Sequence, residues 1–444
     1  MAVKNKTSWI SESFATEKHQ GKESFFISGV SLEEIVAKVP PPFYVYDAAT
    51  IKRQYEGLRD ALAPYGISIY YAVKPNTALA IVDGLYKLGA GLDVASLGEL
   101  LVAQKIGADP KKVSFAGPVK TDEALAFAIS YGIDVINVEG EEEIERINTI
   151  AKAKGVRQRI ALRINIEQPT EHAAHQIMAG GVSKFGIDEA IVTKDFIQRV
   201  QQLPHSELVG MHVYAANMLN TETFLTNVTN ICRVAQKLNK YFPIRSIDFG
   251  GGLGIPYAES EQPLQLATIS KKLGDVLAAF PFLQENKVAL SVEPGRYIVG
   301  QSGIYIARVD SVKESYGKKI VLVDGGVHHL LRPSLVDTAS THPAYNLSRL
   351  DSEEGETMDI GGSLCSPIDF LRKDVSLPKD TKRGDLIGVF VAGAYGWSEA
   401  MPYFMSMHTA SEVLVNNGKF FVIRKSEHPK TFLKKQILPK ENQF

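Results

Sequence analysis

From residue 68 onward, short apolar runs rich in β-branched residues alternate with longer segments whose apolar positions recur at helical spacing. This is the pattern of βα units around a parallel sheet. Eight runs carry it: SIYYAVK (68–74), GLDVAS (91–96), VSFAGP (113–118), DVINVE (134–139), RIALRIN (159–165), LVGMHVYAAN (208–217), IRSIDFGGG (244–252) and KVALSVEP (287–294). Between them lie ALAIVDGLYKLG, LGELLVAQKIG, DEALAFAISYG and EEEIERINTIAKAKG, each ending on a glycine that suits a helix C-cap. Eight strands alternating with helices predict an α/β fold, a (β/α)₈ barrel, with an open doubly wound sheet as the alternative.

After Arg296 the pattern changes to IYIARVDSVKE, KKIVLVDGGV, RGDLIGVFVAGAYG and SEVLVNNGKFFVIRK, strand-like segments separated by turn residues. These predict a second, all-β domain. SFFISGVSLEEI and PPPFYVYD precede the first barrel run and add to that β domain, so the division is not a single cut. The predicted domains are a barrel over 46–305 and a β domain over 306–425 together with about 22–45, with 1–21 and 426–444 as tails. The polar, acidic stretch 339–361 reads as a surface excursion.

Composition narrows the partners. Lys+Arg 49 against Asp+Glu 50 gives a net charge of -1, which points away from nucleic acid or an anionic membrane and toward a small-molecule substrate. The first residues, MAVKNKTSWISESFATEKHQ, have no apolar core with a small-residue cleavage site, and no segment approaches a bilayer span, so a cytoplasmic protein is expected. The two cysteines, Cys232 and Cys365, are too few for a disulfide framework and lack metal-like spacing; no metal is expected. Cys232 shares a helical stripe with Val228, Ile231, Ala235 and Leu238 and is expected in the core, whereas Cys365 follows glycines on a loop.

In a barrel, chemistry gathers at the C-terminal ends of the strands. Lys74 ends the first run, Asp93 and Ser96 lie in the second, Asn165 ends the fifth, and Tyr214 and Asn217 end the sixth. Gly250, Gly251 and Gly252 end the seventh, and Glu293 to Arg296 end the eighth. Taken singly, each has a plain explanation: a strand-end lysine reaches water, a glycine cluster makes a tight turn, and an arginine pairs with an acid. Together, glycines that let backbone N–H groups approach an anion, with Gly295 and Arg296 on the adjacent loop, suit a phosphate, which barrels commonly hold after strands seven and eight. A phosphate site, a lysine and a carboxylate are what pyridoxal phosphate needs: an amine for its aldehyde and an anion that keeps its ring nitrogen protonated, strengthening the electron sink.

YAVKPN, GLDVASLGELLVA, SKFGI, DFGGGLG, EPGRYIVG, the Cys365 loop and AGAYG occur in the order seen in the fold type III pyridoxal phosphate decarboxylases, which include the diaminopimelate, ornithine and arginine enzymes. The resemblance spans roughly residues 24 to 425 and implies a PLP-dependent amino-acid decarboxylase. It implies Lys74 as the Schiff-base lysine, Glu293 as partner of the pyridine nitrogen, and a phosphate cradle of Gly250 to Gly252, Gly295 and Arg296 helped by Tyr395. It also implies a homodimer whose partner subunit supplies Cys365 as proton donor.

Two features depart from the pattern. Many relatives set a histidine against the cofactor ring, where this chain has Tyr214 in HVYAAN; His212 lies two residues earlier on the same face by strand alternation, so either ring can occupy the position. The acid that follows the cysteine in relatives, where it grips a distal ammonium, is Ser366 here, with Asp369 three residues on. Arg332 resembles the arginine that holds a distal carboxylate in the diaminopimelate enzymes. The expected substrate has an anionic or carrier-linked far end, a citrate conjugate of siderophore assembly or a carrier-tethered glutamyl group, with diaminopimelate as the alternative. A racemase of the same fold would set an arginine, not Glu293, at the ring nitrogen, and a non-catalytic homologue could lose Lys74 or Cys365. His328, His329 and Trp397 either line the pocket or pack.

Overall fold

The computed structural model describes residues 7, 9–19, 22–167, 181–217, 220–335, 342–352 and 354–439. They form two compact units: 52–255 with 262–298, and 1–51 with 256–261 and 299–444. Among the described residues no helix is long and apolar enough to cross a membrane.

The first unit is a closed parallel barrel of eight strands, Ile67–Ala72, Gly91–Val94, Val113–Phe115, Val135–Val138, Gln158–Asn165, Ser206–His212, Ser246–Asp248 and Ala289–Val292. Leu290 pairs with Ile67 and Ser291 with Ser68, so the eighth strand closes on the first and the open-sheet alternative is excluded. The strands are shorter than the apolar runs, and the residues past their ends form the loops of the mouth. Side-chain oxygens of Ser96, Thr121 and Thr193 accept the N–H groups of Glu99, Ala124 and Phe196 and so start three of the helices, while Gly132 ends one at φ 81°. In Glu141–Ala153, Ile144, Ile147 and Ala151 are buried on one face, as helical spacing requires. Cys232 is likewise buried, and burial pushes its thiol up to about 12.

The second unit is built on β-structure. Phe43–Asp47, from PPPFYVYD, lies between Gly303–Ser315, to which it is antiparallel, and Ser411–Asn416, to which it is parallel. Lys22–Ile27 instead joins Phe14–His19 and Val30–Ser31 in a separate three-stranded sheet, and Phe14 and Phe25 meet Phe390 edge to face at 5.7 and 5.8 Å. Residues 14–19 are therefore a strand and not a tail. The excursion expected over 339–361 is also corrected: Ala344–Asn346 pairs with Leu386–Phe390, and Gly355–Gly361 pairs with Lys318–Val323 and Phe370–Pro378. His342, Ala344, Asn346, Leu347 and Leu350 are buried, because sheet pairing outweighs the polar composition. Residues 339–341 and 353 lie outside the described residues.

Gly210, between the fifth and seventh strands, faces Ser246 so closely that a Cβ would lie 1.9 Å from its carbonyl oxygen, whereas Gly84, within the helix Leu79–Lys87, has open space. Gly210→Ala is expected to lower stability in urea unfolding by about 1–3 kcal/mol or more, and Gly84→Ala to raise it by about 0.5–1 kcal/mol.

Candidate active site

The loop after the first strand is held from both sides. Val73 N–H donates to Asp93 O at 3.0 Å, Ala72 N–H donates to Pro294 O at 3.3 Å, and Tyr71 Oη donates to Asn76 O at 2.9 Å. This turn carries Lys74, whose Nζ lies 4.0 Å from Asp93 Oδ2 and 5.3 Å from the centre of the Tyr214 ring. Asp93 is buried and Lys74 is substantially exposed, so the amine stands at the mouth with an acid beneath it.

Below the lysine lies a cluster of buried acids. Glu293 is 3% exposed and His212 1%, with His212 Nε2 2.9 Å from Glu293 Oε2. Glu293 Oε1 and Asp93 Oδ1 are buried without a hydrogen-bond partner among the described residues. One atom each from His212, Asp248 and Glu293 lie within 4.8 Å of one another. Burial raises the Glu293 carboxyl above its ordinary value, opposed by Lys74 and Arg163; burial and then Glu293 raise Asp93 strongly. Asp248 is pushed up to about 7 by burial and then by Glu293, against His212, the Ser291 hydroxyl and the Gly250 N–H. Burial lowers His212 to about 4, so at neutral pH its imidazole is uncharged.

Sequence reasoning passed over Asp248, Glu139 and Arg163, although strand alternation could have found two of them: Asp248 sits two residues before Gly250, and Arg163 two before Asn165. Arg163 pairs with Glu139 at 2.7 Å, both being nearly buried, and its guanidinium covers the Phe185 ring at 4.6 Å. Glu139 also accepts the Gly186 N–H at 2.6 Å, which ties the SKFGI motif to the fourth and fifth strands. Asn165 Nδ2 donates to Asp188 Oδ1 at 2.7 Å.

The glycines are sterically required. A Cβ at Gly250 (φ 68°) would lie 2.3 Å from Val213 O, one at Gly251 2.3 Å from Glu293 O, and one at Gly295 2.5 Å from Pro75 Cγ. Gly252 has φ 84°. Gly250 departs from the expected cradle in one respect, because its N–H donates to Asp248 Oδ1 at 2.7 Å and is not aimed at an anion. The nearly buried Arg296 opens the short helix Arg296–Val299. His212 is committed edge-on to Glu293, while Tyr214 is partly exposed at the mouth and its hydroxyl donates to Asn217 Oδ1.

Cys365 is in the second unit, exposed, its N–H donating to Met405 Sδ at 3.3 Å. Asp369, expected to contact substrate, is a brace for that loop: Oδ1 accepts Val327 N–H at 2.7 Å and Oδ2 accepts Leu364 N–H at 2.6 Å. A Cβ on Gly326 or Gly362 would strike its carboxylate at 2.5 or 2.4 Å. Ser366 is partly exposed, and its carbonyl accepts the Asp369 N–H at 3.2 Å. Arg332, expected to be available to a distal carboxylate, is already matched by Glu399 at 3.1 Å, with its guanidinium 4.9 Å from the Tyr395 ring centre. His329 bonds Tyr305 Oη at 2.9 Å and His408 O at 2.7 Å, and Trp397 Nε1 donates to Ala410 O at 3.3 Å beneath Arg424, so both are packing residues. His328 is fully buried beside them.

The barrel fits pyridoxal phosphate on two counts: the acid Oε1 of Glu293 is buried without a protein partner, and the loops after strands seven and eight are kept free of side chains by glycine. Residues 48–300 match the family model for the pyridoxal-dependent decarboxylase, pyridoxal binding domain. The chain is 34% identical to the diaminopimelate decarboxylase of Aquifex aeolicus over 412 residues, covering 91% of this chain and 93% of the relative. It is 32% identical to the L-glutamyl-[BtrI acyl-carrier protein] decarboxylase of Niallia circulans, covering 86% and 91%. The crystal structure of diaminopimelate decarboxylase from M. jannaschii in complex with L-lysine superposes with a TM-score of 0.87 at 29% identity, covering 96% of this chain and 98% of that one. The chain therefore belongs to the pyridoxal-dependent decarboxylases, as an enzyme of the diaminopimelate decarboxylase type whose cofactor is pyridoxal phosphate.

Proposed function

We propose that this enzyme removes the α-carboxylate of an amino acid whose far end is joined to a carrier, as in a tethered glutamyl group. The observation that carries this substrate reading is the Arg332–Glu399 pair at 3.1 Å together with Ser366 in place of an acid. Diaminopimelate presents a free ammonium and a free carboxylate at its far end. The first has lost its acid at Ser366, and the second must compete with Glu399 for Arg332. A conjugated end asks for neither contact. The carrier-linked relative points the same way. Diaminopimelate itself is the second reading, favoured by the 34% identity to the Aquifex aeolicus enzyme over nearly its full length.

Pyridoxal phosphate, when bound, supplies a sink for the electron pair left as CO₂ departs. Lys74 would supply the amine that holds its aldehyde, and Asp93, 4.0 Å away, keeps that amine near the rim of the second strand. Glu293 Oε1 would face its ring nitrogen and keep a proton there, while the bond from His212 fixes the carboxylate plane. Tyr214 would cover one face of the ring. Gly251, Gly252, Gly295 and Arg296 would cradle its phosphate. In a homodimer, Cys365 of the partner subunit returns a proton to the α-carbon, and Asp369 acts as a positioning residue for that loop by clasping Val327 and Leu364.

Borohydride reduction of the loaded enzyme followed by peptide mapping is expected to label Lys74, and Lys74→Ala is expected to lose both the label and the visible absorbance of bound cofactor. Glu293→Gln is expected to retain the cofactor while lowering kcat by about 10²–10³ with KM little changed, the usual consequence of removing one preorganised electrostatic contact. In CO₂-release assays, a carrier-tethered glutamyl substrate is expected to exceed meso-diaminopimelate in kcat/KM by about 10² or more, a gap of the size that unmatched charges produce. Equal or better turnover of diaminopimelate would favour the second reading.

A further inference from the structure

The lower half of the barrel is not filled. The side chains lining it include the small polar Ser68, Ser114, Asn137, Ser246, Asp248 and Ser291 beside larger ones such as Tyr70 and Met211. Barrels of this architecture ordinarily pack that space with branched apolar layers. Here they border a cavity of about 540 Å³, counting the part open to solvent, and Asp134 and Arg159 form an ion pair at its rim. Ser68 and Ala289 are exposed, and Ser246, Asp248 and Ser291 are partly exposed, so solvent reaches Asp248 from the N-terminal end of the strands. One layer higher it stops at Glu293 and His212, which are 3% and 1% exposed. A cavity this polar and this roomy holds ordered water.

We propose that this lower cavity is a proton inlet: water entering at the N-terminal end of the barrel exchanges protons with Asp248, and Asp248 exchanges them with the His212–Glu293 pair. The three groups have polar atoms within 4.8 Å of one another, and Ser291 Oγ donates to Asp248 Oδ2 at the inner end of the cavity. In each passage the Asp248 O–H breaks as a proton joins His212 or Glu293, and water restores it from bulk, so nothing is oxidised or reduced. The groups that face Asp248 are Tyr70, Asp93, His212, Glu293 and Ser291, with Arg163 and Glu139 beyond His212. Burial holds the Asp248 carboxyl at about 7, so both of its forms are populated at neutral pH. Any cation that binds Glu293 from the mouth covers the upper route, and an inlet from below lets the acids adjust their charge all the same. The path goes beyond the decarboxylase reading and does not depend on it.

The test uses the full-length, cofactor-free protein labelled with ¹⁵N-histidine, and follows exchange of the His212 ring N–H with water by NMR, the signal being assigned by its loss in His212→Gln. Ala289→Phe and, separately, Ser68→Leu fill the wide lower end without touching the hydrogen bonds of Asp248. Each plug is expected to slow exchange about tenfold or more, the effect of roughly 1.4 kcal/mol of added barrier. Asp248→Asn is expected to slow it with the cavity left open. Circular dichroism confirms the fold, and if one plug fails to fold the other decides. Exchange within about twofold of wild type in a folded plug variant would show that protons enter from the mouth and would overturn the inlet. Slowing by the plugs alone, with Asp248→Asn unchanged, would remove Asp248 from the path. Failure of borohydride to label Lys74 would undo the cofactor reading without bearing on any of these rates.

Discussion

The hydrogen bond between His212 and Glu293, made across residues 81 apart in sequence, is the contact on which the barrel's chemistry depends. An ionised carboxylate in an interior of low polarity is costly unless it is matched. Three carboxyl groups, Asp93, Asp248 and Glu293, nevertheless occupy neighbouring positions here, and the cations set against them are Lys74 at the rim and Arg163. The imidazole is uncharged, so it satisfies Glu293 Oε2 without neutralising it. What is left is a crowded group of acids whose carboxyls burial pushes up, with Glu293 Oε1 hydrogen-bonded to none of the described residues. Such an arrangement favours a cationic ring nitrogen, and an enzyme that needs an electron sink gains from it.

The loops of the mouth enforce that arrangement by leaving no room. Backbone carbonyls of Val213 and Glu293 stand where side chains at 250 and 251 would have to be, and Pro75 stands against Gly295. Loops after the first, sixth, seventh and eighth strands therefore interlock as backbone against backbone. The same crowding holds the backbone that carries Lys74, Tyr214 and Glu293 in register. In the second unit, Asp369 does comparable work with hydrogen bonds, clasping the two glycine turns that flank the Cys365 loop.

Charge matching also limits what the second unit offers to a substrate carboxylate. Glu399, three residues into the stretch that follows Gly396, neutralises Arg332, and Arg332 in turn lies over Tyr395. An arginine engaged by both an acid and an aromatic ring is a poorer receptor for a second carboxylate, since that carboxylate must first displace Glu399.

The sequence by itself determined the barrel, because alternation of apolar runs with helical stripes is local and each βα unit declares itself within about thirty residues. It also determined which residues stand at the strand ends, since a run that stops at Lys74 or Glu293 marks the mouth whatever its neighbours are. Only the tertiary structure decided how those residues are paired. His212 became a partner of Glu293 and not a free ring, Arg332 was matched by Glu399, Asp369 became a brace, and the polar stretch around 344–361 entered two sheets. Periodicity reports which face a side chain occupies, but Coulomb and hydrogen-bond energies depend on distances through space between residues far apart in the chain, and those distances exist only once it has folded.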